Sequence, residues 1–155
     1  MSGTPTAEKE VVLTRVFDAP RDLVWAAFTE PQHLKEWWGP HGFTNPVCEV
    51  DLRPGGDLLI HMQGPDGIAH PMTGTFQEID KPERLVFTSV VPNPAGGLHL
   101  KGTNTVTFVA LGDKTELTVR STMAGFTDVS LFMLQGMEPG WTQSLERLES
   151  FLSTI

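Results

Sequence analysis

The chain has 155 residues, 39% hydrophobic and 19% charged, with 19 acidic against 11 basic side chains and a formal charge of −8. This is the size of about one domain and the composition of a soluble globule that can bury most of its unfolded surface without cross-links. The acidic balance and the lack of any Lys/Arg run exclude a phosphate-binding face, and with it a nucleic-acid partner or an anionic membrane surface. No apolar run approaches the ~18 residues of a membrane span, and one cysteine, Cys48, excludes an internal disulfide and a thiolate-rich metal site.

Residues 1–8 are small, polar and Pro-containing and read as a flexible tail, with the domain over 9–155. The start lacks the basic residues and apolar centre of a signal peptide, so a cytoplasmic protein is expected. Residues 9–18 (KEVVLTRVFD) are β-branched and aromatic, which predicts a strand. Asp18-Ala19-Pro20 reads as a helix start, with Asp18 or a neighbour as the cap and Pro20 near the first helical position. Leu23, Val24, Ala27 and Phe28 follow at helical spacing until Glu30-Pro31. Pro31 opens a second short helix that carries Leu34, Trp37 and Trp38 and ends at Gly39-Pro40. Two adjacent tryptophans, each with a single polar atom, are suited to plugging a cavity mouth.

Six strands follow near 46–52, 57–63, 69–80, 84–91, 102–111 and 114–123, separated by PGG, GPDG, DKPE, PNPAGG and GD. Helical periodicity returns over 127–152. Leu134, Met137, Trp141, Leu145, Leu148 and Leu152 make one apolar stripe, and Pro139-Gly140 should kink or break the helix near its middle. The predicted fold is α+β: a curved seven-stranded antiparallel sheet gripping a long C-terminal helix, with two short helices after the first strand.

Two hairpins fix the register. Gly64-Pro65-Asp66-Gly67 suits a type I turn followed by a left-handed Gly, which sets Gln63 opposite Ala69, Met62 opposite His70 and Ile60 opposite Met72. Gly112-Asp113 suits a type II′ turn, which sets Phe108 opposite Leu117, Val106 opposite Val119 and Asn104 opposite Ser121. Three polar residues, His70, Asn104 and Ser121, then point inward and must pair with one another, with backbone, or with the contents of a cavity. Met62, Met72, Met133 and Met137 supply adaptable apolar surface. Cys48 lies in a strand and reads as a buried, inert thiol.

With these residues in view, the chain resembles the activator of heat-shock-protein-90 ATPase homologue family of the START-like, or SRPBCC, superfamily. The resemblance rests on TRVFDAPRDLVWAAFTEPQHLKEWWGPHGF (14–43), DLRPGG (51–56), the GPDG hairpin with GTFQEIDKPERLVFT (74–88), and GW with SLERLESFL (140–152). It implies the helix-grip fold, with a deep apolar pocket between the sheet and the C-terminal helix. It also implies that the WWGP element forms part of the rim and that Trp141 stands near the cavity. It carries over no catalytic residue.

The residues themselves show no nucleophile elbow, zinc-binding helix, phosphate loop or dinucleotide glycine pattern. His33, His41 and His99 fall in solvated contexts. His61 and His70 lie on opposite faces in the bulged register, so no metal site is expected, and no cofactor. The first reading is therefore a protein that holds a small hydrophobic or amphipathic ligand. Met62, Met72, Phe76, Val106, Phe108, Val119 and Trp141 form its walls, Trp37 and Trp38 its rim, and His70, Asn104 and Ser121 orient the polar end. The second is a polyketide-cyclase-like or dehydratase-like enzyme acting on an aromatic or lipid-like substrate, with His70 as acid–base. The third is a co-chaperone-like or homodimerising module that uses the outer sheet or loops.

Overall fold

The computed structural model describes residues 5–155. Alternating apolar and polar side chains produce seven strands: β1 (Ala7–Phe17), β2 (Thr44–Val50), β3 (Asp57–Gln63), β4 (Ala69–Asp80), β5 (Arg84–Pro92), β6 (Leu98–Leu111) and β7 (Lys114–Gly125). They form one antiparallel sheet in the order β1-β7-β6-β5-β4-β3-β2. Breaks in register after Thr44, Phe76 and Val91 are irregularities of the kind that bend a sheet. Residues 1–4 of the expected tail lie outside the described residues. β1 begins two residues before the expected boundary because Thr6 donates its N–H to the Gly125 carbonyl at 2.7 Å and Ala7 pairs with Gly125.

Both hairpin registers are as the turns predict. Gln63, Met62 and Ile60 oppose Ala69, His70 and Met72, and Asn104, Val106 and Phe108 oppose Ser121, Val119 and Leu117. Gly67 has φ +81° and donates to the Gly64 carbonyl at 2.9 Å, the bulged turn required by this register. Gly112 is left-handed at φ +61° whereas Asp113 is not, as a type II′ turn demands.

Two helices link β1 to β2: α1 (Arg21–Thr29) and α2 (Pro31–Trp37). Pro20, not Asp18, occupies the cap of α1, and among the described residues no side chain caps it. The Pro20 carbonyl instead accepts from Leu23 and Val24 at 3.0 and 3.2 Å. The expected single C-terminal helix is two, α3 (Asp128–Gln135) and α4 (Met137–Leu152). The chain breaks at Gly136, whose N–H is drawn to the carbonyls of Phe132 and Met133, and not at Pro139-Gly140. Pro139 is the third residue of α4, in the turn whose N–H groups have no acceptor within the helix, so its ring is tolerated there.

The main core fills the end of the sheet closed by α1, α2 and the C-terminal half of α4. Phe28 stacks edge-on against Trp37 at 4.7 Å and Phe108 at 5.8 Å, and Trp25 meets Phe108 at 5.2 Å. Leu145, Leu148 and Leu152 of α4 complete it. A second, smaller cluster of Leu100, Met123 and Leu134 lies under α3.

Cys48 of β2 is half-buried against the main core, and burial pushes its thiol up to about 11 despite the opposing pull of Lys35. Two units above the ordinary value means roughly 100-fold less thiolate at a given pH below both values. Alkylation of Cys48 by iodoacetamide at pH 8, followed by mass spectrometry, should be slower in the native protein than in the urea-unfolded chain by at least about tenfold, since the greater nucleophilicity of the more basic thiolate offsets part of the loss.

Candidate functional site

The middle of the inner face along β6 and β7 is apolar except for one rung; nearer the Gly112 turn, buried Thr115 donates its hydroxyl to the Ala19 carbonyl at 2.8 Å. Val106 and Val119 pair on one side of the rung and Leu100 and Met123 lie on the other, with Asn104 opposite Ser121 between them. Asn104 and Ser121 are both buried, 2% and 1% exposed. Ser121 Oγ donates to Asn104 Oδ1 at 2.7 Å, and Asn104 Nδ2 donates to Ser89 Oγ of β5 at 2.7 Å and to the Phe87 carbonyl at 3.4 Å. Buried amides need such partners, because each one left unmade costs about 1–3 kcal/mol.

Over this rung lies a groove of about 600 Å³, bounded by the sheet, the loop after α2, α3 and the first half of α4. Its walls are mainly apolar and include Met62, Met72, Met123, Met133 and Met137, five of the six methionines in the chain. A hollow of similar volume on the outer face is lined by threonines and by the carboxylates of Glu49, Asp51 and Asp57. It offers an apolar ligand far less.

Seven of the residues singled out from the sequence line the groove: Trp38, Met62, His70, Met72, Asn104, Ser121 and Trp141. Five do not. Phe76, Val106, Phe108 and Val119 lie on the same face of the sheet, but further along their strands, where α1, α2 and α4 pack directly on them. Trp37 is fully buried and donates Nε1–H to the Ala27 carbonyl at 2.9 Å, whereas its neighbour Trp38 turns to the groove and meets Trp141 edge-on at 5.4 Å. His70 points to the inner side but sits near the start of β4, exposed at the mouth, with Phe43 at 6.1 Å. Among the described residues it makes no hydrogen bond to Asn104 or Ser121. Ser89 carries no such signal in the sequence: a six-residue loop signal separates β5 from β6, so no tight turn fixes their register.

The rim around Trp38 is pinned from behind. α2 ends at Trp37, and its terminal carbonyls are taken by side chains, as helix ends require. Asn45 Nδ2 donates to the carbonyls of Lys35 and Trp38, both at 2.9 Å. Arg147 of α4 donates Nη1 to the carbonyls of Trp38, Gly39 and Pro40 at 2.9–3.0 Å and Nη2 to that of Glu36 at 3.2 Å. Burial lowers the pKa of Arg147 from the usual guanidinium value, and Glu36 opposes this. Gly39, left-handed at φ +96°, donates its N–H to Ser144 Oγ at 3.1 Å and so closes the turn onto α4.

A sequence model of the family described as "Activator of Hsp90 ATPase homolog 1-like protein" matches residues 18–153. Among solved structures, the chain is similar to a protein from Nitrosomonas europaea, with 31% identity, 94% of each chain covered and a TM-score of 0.77. It is similar to a protein from Chromobacterium violaceum at 27% identity, over 92% of this chain and 96% of that one, with a TM-score of 0.77. The AHSA1 protein from Silicibacter pomeroyi shares the fold, with a TM-score of 0.80 at 21% identity over 94% and 99% of the two chains. No curated protein matches the chain.

The guanidinium fork makes a specific demand at Arg147. Replacing it by Met should lower stability in urea denaturation by about 2–3 kcal/mol, the loss expected for charge-assisted bonds to half-buried carbonyls. Arg147→Lys should recover less than half of that, because one ammonium cannot span the carbonyls of Glu36 and Pro40 together.

Proposed function

Because the chain belongs to the Activator of Hsp90 ATPase homolog 1-like family, whose fold surrounds an internal space with a sheet and a C-terminal helix, we propose that it binds a small hydrophobic or amphipathic molecule in the groove beside Trp38. One observation carries this reading: a hollow of about 600 Å³ whose walls are mainly apolar and whose floor holds a few buried hydroxyl and amide groups. Specific small-molecule sites have this character, since burial supplies affinity and a few polar atoms supply orientation. The methionines add unbranched, polarizable surface that can repack around ligands of different shape. Trp38 and Trp141 form the rim, Met62 and Met72 the sheet-side wall, and Asn104 and Ser121 the orienting floor. His70, at the mouth, would meet the part of the ligand nearest solvent.

Two measurements test the proposal. Native mass spectrometry of the purified protein should show a retained small molecule that is absent from the denatured spectrum. Gly140 faces the groove from α4, and a Cβ added there meets no heavy atom within 4 Å. Gly140→Trp should therefore fold, with helix propensity in its favour by several tenths of a kcal/mol (roughly), and should fill the groove. Ligand affinity, measured for the retained molecule by titration, should fall at least about tenfold. An unchanged affinity would move the site elsewhere.

A further inference from the structure

The hydrogen bonds on the groove floor run in one direction, and that direction sets what the ligand must bring. The Phe87 carbonyl can only accept, so it fixes the amide of Asn104 with Nδ2 towards β5 and Oδ1 towards β7. Ser121 must then donate its hydroxyl hydrogen to Oδ1, and Ser89 must accept from Nδ2. The Ser89 hydroxyl hydrogen is left over. Ser89 is 8% exposed and lines the groove, and among the described residues it donates to no acceptor. A buried hydroxyl with an unspent hydrogen is a donor awaiting an oxygen.

Charge narrows the choice. His70, exposed at the mouth, is the only titratable side chain lining the groove among the described residues. Neither a carboxylate nor a phosphate can be brought to the floor without a cation to offset its desolvation. An uncharged carbonyl meets both conditions, because its oxygen accepts strongly and carries no net charge.

We propose that Ser89 is the specificity-determining donor of the groove, and that it selects a neutral, largely apolar ligand whose buried end is a ketone, ester or amide carbonyl. This rests on the groove being the binding site. Ser121, with its hydrogen committed to Asn104, serves as a positioning residue that holds the amide in the orientation Ser89 needs.

The test uses two neutral fluorescent probes with the full-length protein: prodan, a naphthalene ketone whose emission moves to the red when its carbonyl accepts a hydrogen bond, and N-phenylnaphthylamine, which has no carbonyl. Ser89→Ala removes the donor in a slightly smaller side chain, and Ser89→Cys leaves only a weak S–H donor in a somewhat larger one, so a void in the first variant and crowding in the second are controlled by each other. Prodan affinity should fall about fivefold to tenfold in both variants, the worth of one neutral hydrogen bond. Its bound emission should shift to the blue, while N-phenylnaphthylamine affinity stays within about twofold. Prodan binding with unchanged affinity and emission in both variants would overturn the role of Ser89 and leave the groove as the binding site. An equal loss of both probes would also overturn it, showing a structural role for the hydroxyl. Failure of the wild-type protein to take up either probe would overturn this inference together with the groove reading on which it rests.

Discussion

An antiparallel sheet with one wet face must cover the other, and here the covered face is crossed by an amide and two hydroxyls that cannot be packed under hydrocarbon for nothing. Asn104 is satisfied on both sides by Ser89 and Ser121, so the rung is stable where it stands. Apolar side chains laid tightly over Ser89 would still bury a donor without an acceptor. The helical cover responds accordingly. Beyond the rung, Leu145, Leu148 and Leu152 of α4 pack against Val106, Phe108 and the tryptophans of α1 and α2 to form a closed core. Over the rung, the same helix presents Met137, Gly140, Trp141 and Ser144, and the space remains open. One apolar stripe thus serves two purposes along its length, core at one end and groove wall at the other.

The boundary between the two regions passes between Trp37 and Trp38. Adjacent residues at a helix end point in different directions, and only one of this pair can plug the core. Trp37 does so, with its indole N–H satisfied inside. Trp38 is delivered to the groove, and its position depends on the loop that follows it. Arg147 and Asn45 hold the carbonyls of that loop and of the helix end, while Ser144 holds the Gly39 amide. The rim on this side is therefore set by α4, the element that also supplies Trp141. Two aromatic walls owe their spacing to a single helix.

Much of this could be read from the chain. GPDG and GD specify two strand pairings through turn chemistry alone, and the second of them brings Asn104 opposite Ser121. The family segments prescribed the layering of sheet and helix. What escaped has physical reasons. Alternation tells which face a side chain occupies but not how far along the strand the cover is tight, so Phe76, Val106, Phe108 and Val119 read as cavity walls although they fill the core. His70 has the correct parity, yet it lies near a strand end beyond the reach of the helices. The break at Gly136 was hidden because the apolar stripe continues through it, and Pro139-Gly140 was the louder signal. Ser89 was out of reach because a long loop joins β5 to β6 and transmits no register.

The break at Gly136 bears on how firmly the hollow is walled. α3 is only eight residues long and buries little besides Leu134 and Ser130, while Val129, Leu131 and Phe132 stand exposed. Its links to the rest are few, among them the bond between His99 and Thr127 at its start. A segment so lightly held unfolds locally at a fraction of the free energy needed to open the sheet, and its amides should exchange with solvent well ahead of those in β6 and β7. α3 is then the least firmly held wall of the hollow. The outline of the hollow can change through α3 alone, while the rung of Asn104 on its floor stays folded.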